Sequence, residues 1–168
     1  EKARQALPRE LPYKDAVYNV SRVGLLPAAM NPMVLAQAAQ QGKSGVAAAP
    51  AQDADTCACA GGTRESPFAD ELAAAQAQSN ALLFTATQDK LHQPYRGTLM
   101  PPSTELIALF RSKGYAAAVS GAGPCVLVLH YGNAREDIDQ IASEQLASGH
   151  WRVLHLPINT AGVEIERR

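Results

Sequence analysis

The stretch YAAAVSGAGPCVLVL, Tyr115 to Leu129, sets two apolar runs on either side of a turn containing Gly121, Gly123 and Pro124. Its second half belongs to CVLVLHY, an unbroken apolar run typical of a strand covered on both faces or central in a sheet. Glycines in such a turn allow positive φ and let a ligand or another loop approach the backbone where side chains would block it. The same residues would equally serve to reverse the chain between two strands. Downstream, WRVLHLPI (151–158) alternates, as does GVEIER (162–167), with Val163 and Ile165 inward and Glu164 and Glu166 outward.

Helical patterns surround these strands. PPSTELIALFRSKG predicts a helix from Pro102 or Ser103 to Lys113, with Leu106, Ile107, Leu109 and Phe110 as its buried face and Gly114 as terminator. NAREDIDQIASEQLASG reads as a helix capped by Asn133, with Glu136 three residues on, a core stripe of Ile138, Ile141, Ala142 and Leu146, and a stop at Gly149. A long helix runs from Pro67 toward Asp89. Nearer the start, Tyr13, Val17, Val20 and Gly24 recur at helical spacing, which predicts an amphipathic helix kinked or ended near Pro27. PMVLAQAAQQ, between Pro32 and Gly42, reads as a second helix packed against it. The expected architecture is α+β: a small, mostly antiparallel sheet covered on one face by helices.

Composition narrows the function. A chain of 168 residues with 46% hydrophobic residues can bury a core and has the size of one domain. Fifteen basic against sixteen acidic residues give no electrostatic footprint for nucleic acid or an anionic membrane surface. No apolar run reaches the roughly 20 residues that span a bilayer, and EKARQALPRE lacks the core of a signal peptide, so a cytoplasmic location is expected. The three cysteines cannot close a disulfide framework. Residues 42–66 are small and polar, which predicts a disordered insertion. Within them GKS lacks the preceding glycine and strand of a P-loop, and Cys57 and Cys59 lack the further ligands that zinc requires, so no metal site is expected.

Three places could carry chemistry: Asn19 with Ser21 and Arg22, the loop HQPYR (92–96), and the glycine turn. Arg96 offers a planar fork suited to a carboxylate or phosphate. Asn19 and Arg22, three apart, share one helical face. His92 fits a capping or packing role better than acid–base work.

Taken together, AVYNVSRVGLL, TQDKLHQPYRGTLMPPSTELI, AAAVSGAGPCVLVL and AGVEIE resemble the C-terminal half of homoserine kinases, a family of the GHMP kinase superfamily. The resemblance covers nearly all of the chain outside 42–66 and implies a C-terminal domain of the ferredoxin-like type. It implies that Ser120, Gly121, Ala122, Gly123 and Pro124 form the superfamily's third motif, a glycine-rich loop at the active-site cleft lying against the phosphate-binding loop. It places Arg96 on the α-carboxylate of L-homoserine, and Asn19 and Arg22 at the same cleft, with no residue here assigned as catalytic. ATP and Mg2+ are the implied co-substrate and cofactor, with threonine biosynthesis as the setting, and a homodimer is left open.

The family's phosphate-binding loop and magnesium carboxylate have no counterpart in these residues. ATP and Mg2+ are therefore expected to bind mainly through an absent N-terminal half, and the chain is expected to be a fragment, inactive alone. Another GHMP kinase acting on a small alcohol, or a non-catalytic amino-acid-binding regulatory module, remain as alternative readings.

Overall fold

The computed structural model describes residues 2–31, 33, 67–157 and 165, with 67 and 68 described in backbone only. The chain divides into two compact units, Glu1–Gly132 and Asn133–Arg168. Helices with a small antiparallel sheet make the fold α+β, as expected.

The hairpin around the glycine turn forms as read. Strands β1 (Ala116–Val119) and β2 (Val126–Leu129) pair antiparallel in the register Ala116↔Leu129 to Val119↔Val126. The Ser120 amide donates to the Cys125 carbonyl at 2.8 Å and closes the turn. Gly121 and Gly123 take φ of +62° and +85°, a region that L side chains rarely adopt.

Before the sheet come α1 (Lys2–Gln5), α2 (Tyr13–Val23), α3 (Leu26–Ala29), α4 (Pro67–Ala86), α5 (Gln93–Gly97) and α6 (Pro101–Ser112). Helix α4 is rich in alanine on every side, and Ala75, Ser79, Leu83 and Ala86 form its buried line. Leu83, Ala29 and Ala116 form a core packed by Leu26, Leu82, Phe84, Leu129 and Tyr131. Small side chains at Ala116 and Ala117 let β1 lie close beneath α4 and α6. Helix α4 ends at Ala86, short of Asp89, where the Thr87 hydroxyl donates to the Leu83 carbonyl. Helix α6 buries Leu106, Ile107 and Phe110 as predicted, but Ser103 is buried where Leu109 is only half-buried. The Ser103 hydroxyl donates to the Pro124 carbonyl at 2.6 Å and ties the helix start to the turn.

Polar staples join helices to sheet. Asn80 of α4 accepts from the Tyr131 amide at 2.8 Å and donates to the Tyr131 carbonyl at 3.1 Å, as a neighbouring strand would. Arg111 of α6 donates to the carbonyls of Phe84 (2.7 Å) and Ala117 (3.0 Å) and to the Thr87 hydroxyl (3.1 Å), with its guanidinium over the Phe84 ring. Burial pulls its pKa below the ordinary arginine value.

The second unit holds α7 (Arg135–Ile141) and α8 (Ser143–Ala147), and the Asp139 carboxylate meets the His155 ring at 3.0 Å. The single helix read over 133–149 is thus broken at Ala142, and its N-cap is Ala134 rather than Asn133, with no side-chain cap bond.

Five further expectations are corrected or fall outside the described residues. Trp151 to Pro157 form no strand, because alternation sets only the facing of side chains and a strand exists only with a paired neighbour. Of the helix read after Pro32 only Met33 is described, and of GVEIER only Ile165; the 42–66 segment lies wholly outside. Helix α2 forms, yet Tyr13, Val17 and Val20 point to solvent, since its polar side chains have specific partners inside. Among the described residues no helix is long and apolar enough to cross a membrane.

Replacing Arg111 by Met keeps most of the packing but leaves the buried Ala117 carbonyl without its side-chain donor and removes the shorter of two bonds to the Phe84 carbonyl, so unfolding free energy should fall by about 1–3 kcal/mol in a urea titration. A loss below about 0.5 kcal/mol would show that the staple is dispensable.

Candidate functional site

The segment between α4 and α5 carries its own wiring diagram in Asp89. One carboxylate oxygen accepts from the Asn19 side-chain amide and the Leu91 amide, at 2.5 and 3.0 Å. The other accepts from the amides of His92 and Gln93, at 2.8 and 2.6 Å. Those amides are the unpaired donors at the start of α5, with Pro94 early in the helix where its missing N–H costs nothing. Burial opposes ionisation of Asp89, but the bonds from Gln93, Asn19, Leu91 and His92 outweigh it and hold its pKa below the ordinary 3.8.

Helix α2 grips the same segment from the other side. The Asn19 carbonyl oxygen accepts the Lys90 amide at 2.9 Å, so both ends of this side chain are spent on residues 89 and 90. Tyr18 donates to Gln88, and its ring lies between the Arg22 guanidinium at 4.2 Å and the Lys90 ammonium at 4.3 Å. Arg22 also donates to Gln88 at 3.2 Å, and Lys90 pairs with Asp15 at 3.7 Å.

Helix α5 presents Arg96 and Gln93 to the end of β1. Gln93 accepts the Val119 amide at 3.1 Å. Arg96 donates through Nε to the Ala3 carbonyl (3.1 Å) and through Nη1 to the Gly121 carbonyl (3.4 Å). Asp89, His92, Gln93, Arg96, Val119 and Gly121 line one cavity of about 300 Å³. That volume lies at the small end of the range of ligand sites.

Two of the three places singled out in the sequence, Arg96 and the glycine turn, therefore share one cavity. Asn19 and Arg22 hold its supporting segment and are not among its lining residues. The two glycines differ. A Cβ on Gly123 would meet the Met100 sulfur at 2.4 Å, so the bare face is filled by this chain's own methionine. A Cβ on Gly121 would meet nothing within 4 Å, and its carbonyl faces Arg96. Asp89 and Gln93 were not singled out in the sequence, though an aspartate placed four residues before a Gln-Pro helix start is a recognisable capping signal.

Mg2+ does not fit the described residues. No group of three or more His, Cys, Asp or Glu side chains is placed to hold a cation, and both oxygens of Asp89 already accept two bonds each.

Comparison with known proteins gives a consistent picture. Residues 68–148 match the family model described as GHMP kinases C terminal. The chain is similar to a homoserine kinase of Clavibacter michiganensis, 31% identical over 98% of this chain and 37% of that protein. A homoserine kinase of Leifsonia xyli is 32% identical over the same shares, and one of Corynebacterium aurimucosum is 44% identical over 51% of this chain and 26% of that protein. The chain thus spans little more than a third of the length of the first two relatives.

A carboxyl with a depressed folded-state pKa stabilises the fold fully above its unfolded value and loses that contribution as pH falls through the folded value. The stability gap between wild type and Asp89→Asn in urea should therefore be widest near neutrality and close as pH drops below 3.8. A gap independent of pH would contradict the assigned bonds.

Proposed function

We propose that the chain, whose residues 68–148 match the family model described as GHMP kinases C terminal, supplies the amino-acid side of a homoserine kinase site. In this reading the γ-phosphoryl group of ATP passes to the side-chain hydroxyl of L-homoserine, giving O-phospho-L-homoserine and ADP on the route to threonine. The observation that carries it is the placement of the Arg96 guanidinium beside the Gly121 carbonyl on a small cavity. The guanidinium in the lining matches the α-carboxylate of an amino acid, which Arg96 would take. The relatives bearing the name homoserine kinase support that substrate over another small alcohol.

The chain's own residues bind and orient here. Asp89 fixes the start of α5, which sets where Arg96 stands, and Gly121 keeps the cavity edge free of side-chain atoms. Asn19 and Arg22 act on the substrate indirectly, through residues 88 to 90. Phosphoryl transfer relies on positioning and on neutralising the charge of the transferred group. The described residues supply the first, and none of them is placed to hold Mg2+; in this reading the chain by itself turns over no ATP.

Removing the guanidinium discriminates among the readings. In the complete enzyme Arg96→Ala should raise KM for homoserine by about tenfold to a hundredfold, the worth of a charge-assisted pair, while KM for ATP stays nearly constant. An unchanged homoserine KM would remove the proposed anchor. Calorimetric binding of threonine to this chain, independent of ATP, would point instead to a regulatory module.

A further inference from the structure

Strand β1 offers one edge to β2 and turns the other toward the helices. The Ser120 amide bonds to the Cys125 carbonyl across the turn, and Val119 faces Val126 in the next pair of the register. Hydrogen-bonded and non-bonded pairs alternate along an antiparallel ladder, so the Val119 N–H points away from β2. There the Gln93 side-chain oxygen accepts it at 3.1 Å. Gln93 is half-buried, opens helix α5 and lines the cavity together with Val119, Arg96 and Gly121. Helix α5 thus meets the end of β1 at two points, Gln93 on Val119 and Arg96 on Gly121, through side chains three residues apart on one helical face.

The two contacts are unequal. The bond from Arg96 Nη1 to the Gly121 carbonyl, at 3.4 Å, is longer than an ordinary N–H···O bond, and a carboxylate arriving at the guanidinium competes for the same donor with a full negative charge. The bond between Gln93 and Val119 has no part in that exchange. We propose that Gln93 is the positioning residue of this site: its side-chain oxygen, by holding the Val119 amide, keeps Arg96 and Gly121 in register while the guanidinium is engaged by substrate. Asp89 secures the same helix start toward α2, and Ser103 secures the turn toward α6, whereas Gln93 joins α5 to β1 directly. The inference rests on the reading of Arg96 as the carboxylate anchor.

Steady-state kinetics of the complete enzyme test it. Gln93→Met keeps the length and removes the acceptor, so KM for homoserine should rise about tenfold while kcat and KM for ATP stay within about twofold of wild type. Gln93→Glu keeps an oxygen for the Val119 amide but has no –NH2 group, and its homoserine KM should stay within about threefold of wild type. An equal rise in the Glu and Met variants would overturn the proposal and assign the –NH2 group a direct contact with substrate. In an Arg96→Ala background Gln93→Met should raise KM no further, because the group it positions is gone; multiplied effects would overturn the proposal. Hydrogen exchange read by mass spectrometry over residues 116–120 should quicken at Val119 in Gln93→Met and not in Gln93→Glu, and unchanged protection in the Met variant would also overturn it. Gln93→Ala gives the same comparisons should the Met variant not fold. A raised KM in Arg96→Ala with none in Gln93→Met removes the positioning role and leaves the functional reading standing, whereas an unchanged KM in Arg96→Ala removes the anchor and this proposal with it.

Discussion

A single half-buried carboxylate, Asp89, gathers four donors from two distant parts of the first unit, and the arrangement of the cavity follows from that convergence. A helix of five residues has no stability of its own, because nucleation is unfavourable and too few bonds follow it. What keeps α5 formed is the satisfaction of its first amides by a charge, and that charge is held in turn by Asn19. Arg96 inherits its position from this support, and Gln93 extends it to β1 through the Val119 amide. The chain of cause runs from a side chain on α2, through a loop carboxylate, to the guanidinium that faces Gly121.

The same convergence explains the inversion of α2. Hydrophobic periodicity places an apolar stripe inward only when nothing competes for that side of the helix. Here Tyr18, Asn19 and Arg22 meet a loop whose backbone amides and side chains need partners, and buried polar groups left unpaired cost more than exposed valines. The sequence displayed the stripe correctly but not its direction, since the partners at 88 to 90 lie some seventy residues away.

Legibility followed the range of the interaction. The hairpin, its glycines at positive φ and the buried face of α6 depend on local chemistry and were readable from the residues themselves. Arg96 and the glycine turn were readable as candidates and the resemblance placed both at one cleft, but the link between them through Gln93 and Asp89 was not legible. The role of Met100, whose sulfur occupies the space a side chain on Gly123 would need, was equally hidden, as was the Arg111 staple. Alternation over 151–157 gave a strand pattern with no strand, since pairing partners leave no mark in the segment itself.

Asn19 and Asp89 together order the start of α5. Amide hydrogen exchange by NMR measures this at Leu91, His92 and Gln93, whose N–H groups are the ones bound to the carboxylate. These amides should exchange well below unstructured rates in the wild-type chain and accelerate selectively in Asn19→Ala, while the β1 and β2 amides keep their protection. Exchange at unstructured rates in the wild type, or no change on removing Asn19, would contradict it.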